Sequence, residues 1–160
     1  MSNMWSEYNK ARLVLPPALD RWSTSDTGVA VHMENYKRLT FLVPTGSSDT
    51  ESCGSATITV KAGADANAAT AIAFKYRTCS SAGVYGTLTD ASSTGFTTTN
   101  ALGAYDWTYI IEVDAPTVAA AGTDFDYATI SFTEVEDQAI TSCVLAVLSE
   151  PRYPQGTLVE

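Results

Sequence analysis

The chain of 160 residues is 45% hydrophobic, and one domain with a single core is expected at this length. Its nine basic residues are scattered and stand against eighteen acidic ones, so the formal net charge is −9 and a nucleic-acid partner is not expected. No apolar run approaches the ~20 residues of a membrane span, and the first residues lack the regions of a signal peptide, so we expect a soluble protein made in the cytosol with no membrane partner.

Residues 1–27 differ in pattern from the rest of the chain. They show no sustained hydrophobic period, contain Pro16–Pro17 and hold two of the three tryptophans, which a disordered tail has little reason to carry. We interpret this segment as an extended N-terminal arm, and an N-terminal strand with a loop packed on its own domain is the equal alternative. As an arm it would bind a partner through its apolar side chains, of the types enriched at interfaces: Trp5, Tyr8, Leu13, Leu15 and Trp22.

From Gly28 onward, apolar and polar side chains alternate with the period of two that is typical of β-strands. Residues 56–62 and 71–77 alternate apolar with polar side chains, which predicts the two strands of a hairpin. The register that pairs Ala62 with Thr70 also gives the partner pairs Val60–Ile72, Ile58–Phe74 and Ala56–Tyr76. The hairpin is thus predicted to present one continuous apolar face.

The same register places two of the three cysteines, Cys53 and Cys79, opposite each other. Cross-strand cysteines can approach the Cα separation of roughly 4.4–6.8 Å that a disulfide requires. The pair is therefore a candidate disulfide, and two reduced residues at the strand ends are the alternative. Cys143 lies in an apolar run and is predicted to be a small buried hydrophobe. Three cysteines without CxxC spacing indicate no zinc site.

The remaining pattern predicts the fold class. Thr, Ser, Ala, Gly and Tyr are frequent while the helix-favouring Leu, Lys and Glu are sparse. About eight strands and no helix are predicted, and the stretch QAITSCVLAVLS, apolar on both faces, is expected to be a central strand. Short antiparallel strands joined by turns favour an all-β, jelly-roll-like sandwich of two antiparallel sheets over residues 28–160, with the arm before it.

An aromatic row offers a binding hypothesis. Tyr105, Trp107 and Tyr109 occur at every second position of one predicted strand and therefore share a face. Such a row can stack on sugars if it faces solvent, which would suit a carbohydrate-binding module or a phage adhesin. Because Ile111 and Val113 continue the same row, a position in the core is the preferred interpretation.

The sequence contains few residues and no motif that would indicate catalysis. His32 is the one histidine, and a structural role is expected for it rather than that of a general base. No nucleophile elbow, phosphate-binding loop or zinc-protease motif occurs, so we expect no enzyme and no cofactor. Asp114, Asp124 and Asp126 could meet around calcium, but solvated loop acids are the favoured interpretation, so no metal site is predicted.

The chain resembles small virion structural proteins of tailed bacteriophages, of the type that decorates or cements the capsid. The likeness runs over residues 34–156 and is carried by the phrases ENYKRLTFLVP, SATITVKAGADANAATAIAFKYR, YDWTYIIEVDAP and VLAVLSEPRYPQG. It implies a β-sandwich on the capsid exterior that binds the major capsid protein, after assembly in the bacterial host cytoplasm. It also implies a homo-oligomer, a dimer or trimer, often held through a terminal arm. Tail and head-completion proteins also include small β domains, so the resemblance does not fix the position of the protein within the virion.

Overall fold

The computed structural model describes residues 5–22, 25–47, 54–80, 82–98, 107–137 and 139–152. Two antiparallel sheets of six strands each form a sandwich, which confirms the predicted fold class. The first sheet contains, in spatial order, β1 (Lys10–Ala18), β12 (Ile140–Pro151), β4 (Tyr36–Ser47), β10 (Thr108–Asp114), β7 (Phe74–Cys79) and β8 (Thr89–Ala91).

The second sheet is built around two long strands. Its spatial order is β2 (Asp26–Thr27), β11 (Tyr127–Glu136), β5 (Ser55–Gly63) and β6 (Thr70–Ile72), with β3 (Val31–His32) paired to β11 and β9 (Phe96–Thr97) paired to β5. The two short helices of the described residues are α1 (Trp5–Tyr8) and α2 (Ala115–Ala120). The prediction that the chain has no helix was wrong, and Pro116 in the first turn of α2 suits a helix start. No helix in the described parts of the chain has the length and apolar character needed to cross a membrane.

The core lies between the two sheets and follows the alternation of the strands. Tyr109, Ile111 and Val113 of β10 all point inward and are buried, as the period-two pattern predicts. Strand β12 is flanked by β1 and β4 on its two sides, which confirms its predicted central position. Each large aliphatic side chain buried in this way contributes about 1.5–3 kcal/mol relative to exposure.

The predicted hairpin is correct only at its turn end. The pairs Val60–Ile72 and Ala62–Thr70 form as predicted. Beyond Ile72 the chain crosses to the first sheet, where Phe74 pairs with Ala91 instead of Ile58. Ile58 pairs with Phe96 of β9. The prediction was wrong here because a strand that changes sheets keeps the same period-two alternation as one that stays.

The described part of residues 1–27 contains α1, β1, a loop and β2, and its two strands belong to the sandwich. Strand β1 pairs with β12 from Lys10 to Ala18, with two register shifts around Pro16 and Pro17, and prolines are tolerated on such an edge strand. Trp22 is 1% exposed and stacks on Phe132 of the second sheet at 5.8 Å between ring centroids. The segment therefore follows the alternative interpretation, a strand and loop packed on its own domain.

Candidate functional site: the outer face of the first sheet

The outer face of the first sheet carries a row of aliphatic side chains across four strands. The registers place Leu13 of β1 beside Leu145 of β12, Leu145 beside Leu42 of β4, and Leu42 beside Ile110 of β10. Leu13 is 49% exposed and Leu145 is 38% exposed. We call these four residues the apolar row. A solvated sheet face is ordinarily polar, so the row marks this face as a candidate contact surface.

Small and uncharged side chains extend the apolar row along the strands. Val147 lies across from Ala11 on one side and Thr40 on the other. Pro44 pairs with Thr108, which in turn pairs with Cys79. We call the apolar row and its apolar or uncharged neighbours the apolar face, and its members are Ala11, Leu13, Thr40, Leu42, Pro44, Thr108, Ile110, Cys143, Leu145 and Val147.

Beside the apolar face lies a groove of about 660 Å³, the charged groove. Its charged lining consists of three basic residues, Arg38, Lys75 and Arg77, and three acidic ones, Asp90, Glu112 and Asp114. The antiparallel registers set Lys75 beside both Asp90 and Glu112, which explains why opposite charges alternate across these strands.

Ion pairs neutralise most of the charged groove. Arg38 Nε donates to Asp114 Oδ1 at 3.3 Å, and its Nη1 lies 3.3 Å from Glu150 Oε1. The hydrogen bond to Asp114, followed by the charge of Glu150, raises the pKa of Arg38. The hydrogen bond from Lys75 to Asp90 likewise raises the pKa of Lys75. These pairs are exposed, so they fix the local charge pattern more than they stabilise the fold.

The lining of the charged groove offers neither a serine nor a cysteine nucleophile. A nucleophile would need a base within hydrogen-bond reach, and no Ser or Cys belongs to its lining. Its basic side chains stand beside acids, so it does not form the concentrated positive field that an anionic substrate would require. The outer face as described is suited to contact with another macromolecule.

His32 lies elsewhere, beside a smaller cavity of about 290 Å³. Its Nε2 is 2.7 Å from Asp126 Oδ2, and its ring stacks on Tyr127 at 4.5 Å between centroids. Met33, Val118 and Phe125 supply apolar walls of the cavity. These contacts of His32 join β3 to the start of β11.

The acidic residues considered for calcium are not brought together. Asp114 ends β10 and pairs with Arg38, whereas Asp124 and Asp126 lie at the smaller cavity. Across the ranges that the structure describes, no group of three or more His, Cys, Asp or Glu side chains could hold a metal ion.

The aromatic row of β10 points inward where it is described. Tyr109 is buried, Trp107 is half-buried against the core, and Tyr105 lies outside the described residues. The main chain at Trp107 is held by two hydrogen bonds from Thr45 to its carbonyl oxygen. Tyr109 is thus not available as a sugar-stacking surface, and the preferred core interpretation agrees with its position.

The five side chains predicted to bind a partner divide into two groups. Trp5 is 59% exposed, Tyr8 is 44% exposed, and Leu13 belongs to the apolar row. Leu15 and Trp22 are buried in the chain's own core and are not available to a partner, which corrects their predicted role. The bulge between Leu13 and Leu15 turns the second residue inward although both lie in one strand.

The predicted cysteine pair is described only in part. Cys79 ends β7, where its thiol faces the carbonyl oxygen of Ser80 at 3.7 Å, and Cys53 lies outside the described residues. The candidate disulfide stays a prediction, although the register from which it was predicted ends at Val60–Ile72. Cys143 is half-buried on the outer side of β12 and not fully buried as expected.

Sequence analysis missed most of the apolar face. The signal was present in QAITSCVLAVLS, where apolar residues on both faces of one strand indicated a central position. The same feature leaves Leu145 and Val147 on the outer side. Finding the apolar row also required knowing that β1, β12, β4 and β10 are neighbours, which the pattern of a single strand does not contain.

Comparisons with known proteins give the chain no family. No family model matches the sequence, and no curated protein matches it.

Proposed function

We propose that the chain is a non-enzymatic virion structural protein that binds and stabilises the outer surface of a phage capsid. The resemblance of residues 34–156 to capsid decoration proteins supports this function. The observation that carries it in the structure is the pair of exposed aromatic side chains, Trp5 and Tyr8, next to the edge strand β1. Tryptophan and tyrosine are the side chains most often found at the energetic centre of protein interfaces.

The geometry of the described residues also favours a binding role over a catalytic one. The charged groove is lined by opposite charges, and no serine or cysteine belongs to its lining. A tail or head-completion protein is the alternative station for the same architecture. A carbohydrate-binding module is the weaker alternative, because Tyr109 of the aromatic row is buried.

The test is co-sedimentation with empty capsids built from the major capsid protein encoded in the same genome as this chain. We expect the wild-type protein to pellet with these capsids and the double variant Trp5→Ala/Tyr8→Ala to show at least about a tenfold loss of affinity, the usual effect of truncating interface aromatics. Tyr85→Ala is the matched control, because Tyr85 is also an exposed tyrosine but lies at the opposite side of the first sheet.

Three outcomes decide the proposal. Pelleting that is lost in the double variant and kept in Tyr85→Ala supports it. A wild-type protein that stays in the supernatant contradicts capsid binding. Cryo-electron microscopy of virions that places the protein on the tail instead would contradict decoration and favour the alternative station.

A further inference from the structure

We propose that the apolar face binds a second copy of this chain, so that two sandwiches pack with their first sheets face to face. The proposal does not rest on capsid binding, which is assigned to Trp5 and Tyr8. It begins from the apolar row, whose four aliphatic side chains lie on the solvent side of a sheet. Leaving such a continuous row in water costs free energy that a covering partner would recover.

Charge indicates why the partner is a second copy. Each chain has a net charge of −9, so most pairs of surfaces would bring like charges together. The apolar face contains no charged residue, and the adjoining charged groove holds three basic against three acidic residues. With Glu150 at its edge, the outer face of the first sheet is close to neutral. It can therefore approach its own copy without the repulsion expected elsewhere on this acidic chain.

The area of the outer face also suits a dimer. The four strands that carry the apolar row, β1, β12, β4 and β10, average about ten residues in length. At a spacing of ~4.8 Å they cover roughly 600 Å² per partner, or ~1,200 Å² in total, which is the lower end of a stable interface. The apolar face would form the dry centre of that interface, and the charged groove would form part of its polar rim. Packed sheets lie ~10 Å apart, so the dimer would extend the sandwich by two further layers.

The apolar row is compatible with twofold symmetry. Consider a twofold axis that lies midway between the two packed sheets, parallel to the strands and level with the gap between β12 and β4. This axis places Leu145 of one copy over Leu42 of the other. The same axis places Leu13 over Ile110. An isologous interface requires such self-complementarity, because one patch must contact itself.

The test is sedimentation equilibrium of the full chain and two variants, each of which adds a charge to an outward-facing strand residue. Leu145→Lys places an ammonium group at the centre of the apolar row, where burial without a partner is costly. Val135→Lys is the matched control, because Val135 is exposed on β11 of the second sheet. Circular dichroism and the unfolding midpoint at high dilution check that both variants are folded.

We expect the wild type and Val135→Lys to sediment as dimers of 17.0 kDa chains at micromolar concentration. Leu145→Lys should shift the monomer–dimer midpoint to at least about tenfold higher concentration. Alkylation mapped to Cys143 should also be faster in Leu145→Lys than in the wild type, since the dimer covers this thiol. A monomeric wild type overturns the proposal, and so does a folded Leu145→Lys variant that dimerises as tightly as the wild type.

Capsid binding gives a separate result. If the proposed function fails, the wild type still dimerises through Leu145 in solution. If the dimer fails, capsid binding through Trp5 and Tyr8 is still measurable with the monomer.

Discussion

Trp22 shows at the residue scale how the N-terminal segment belongs to the core. Its ring stacks on Phe132, and its indole Nε1 is buried without a hydrogen-bond partner in the structure. Trp22→Ala should lower the free energy of unfolding by about 3–5 kcal/mol, because it leaves a large cavity. Chemical denaturation followed by circular dichroism measures this loss.

A conservative change at the same position separates packing from polarity. Trp22→Phe keeps an aromatic ring against Phe132 and removes the unpartnered indole N–H, so it should be less destabilising than Trp22→Ala. If Trp22→Ala unfolds at the wild-type denaturant concentration, the indole is not part of the core and the projecting-arm interpretation regains support.

At the scale of elements, β1 connects the N-terminal segment to the rest of the fold. It is hydrogen-bonded to β12 and brings Val14 and Leu15 into the core. Deletion of residues 1–27 should therefore unfold the chain or leave a state that lacks cooperative unfolding, since β1, β2 and Trp22 are lost together. An independently folding domain from Gly28 onward, which the arm interpretation predicts, would contradict this expectation.

A shorter deletion is the control for β1. Removing residues 1–8 ends before Lys10 and spares every pair of the β1–β12 ladder. This variant should keep the wild-type thermal unfolding midpoint within a few degrees. It also lacks both Trp5 and Tyr8, so under the proposed function it should be folded and yet bind capsids poorly. A large loss of stability on this deletion would show that α1 contributes to the fold.

The same scale shows what the sequence could and could not predict. The burial of Tyr109, Ile111 and Val113 follows from alternation within one strand, and so does the central place of β12. The change of sheet after Ile72 does not follow from this alternation, because the pattern is the same whichever sheet a strand joins. The apolar row was missed for a related reason: Leu13, Leu42, Ile110 and Leu145 come from four strands whose neighbours depend on the whole topology.

At the scale of the whole molecule, a high net charge is combined with one nearly neutral face. The dimer proposed for that face would make the unfolding midpoint depend on protein concentration. If the native state is a dimer and the unfolded state is a monomer, dilution favours unfolding by mass action. For two chains of 160 residues, the usual enthalpy of ~0.7 kcal/mol per residue gives a fall in the unfolding midpoint of roughly 2 °C per tenfold dilution. Differential scanning calorimetry over a hundredfold range of wild-type concentration measures this slope. Leu145→Lys should show no slope over the range in which it is monomeric, and a wild-type midpoint that does not move on dilution would contradict the face-to-face dimer.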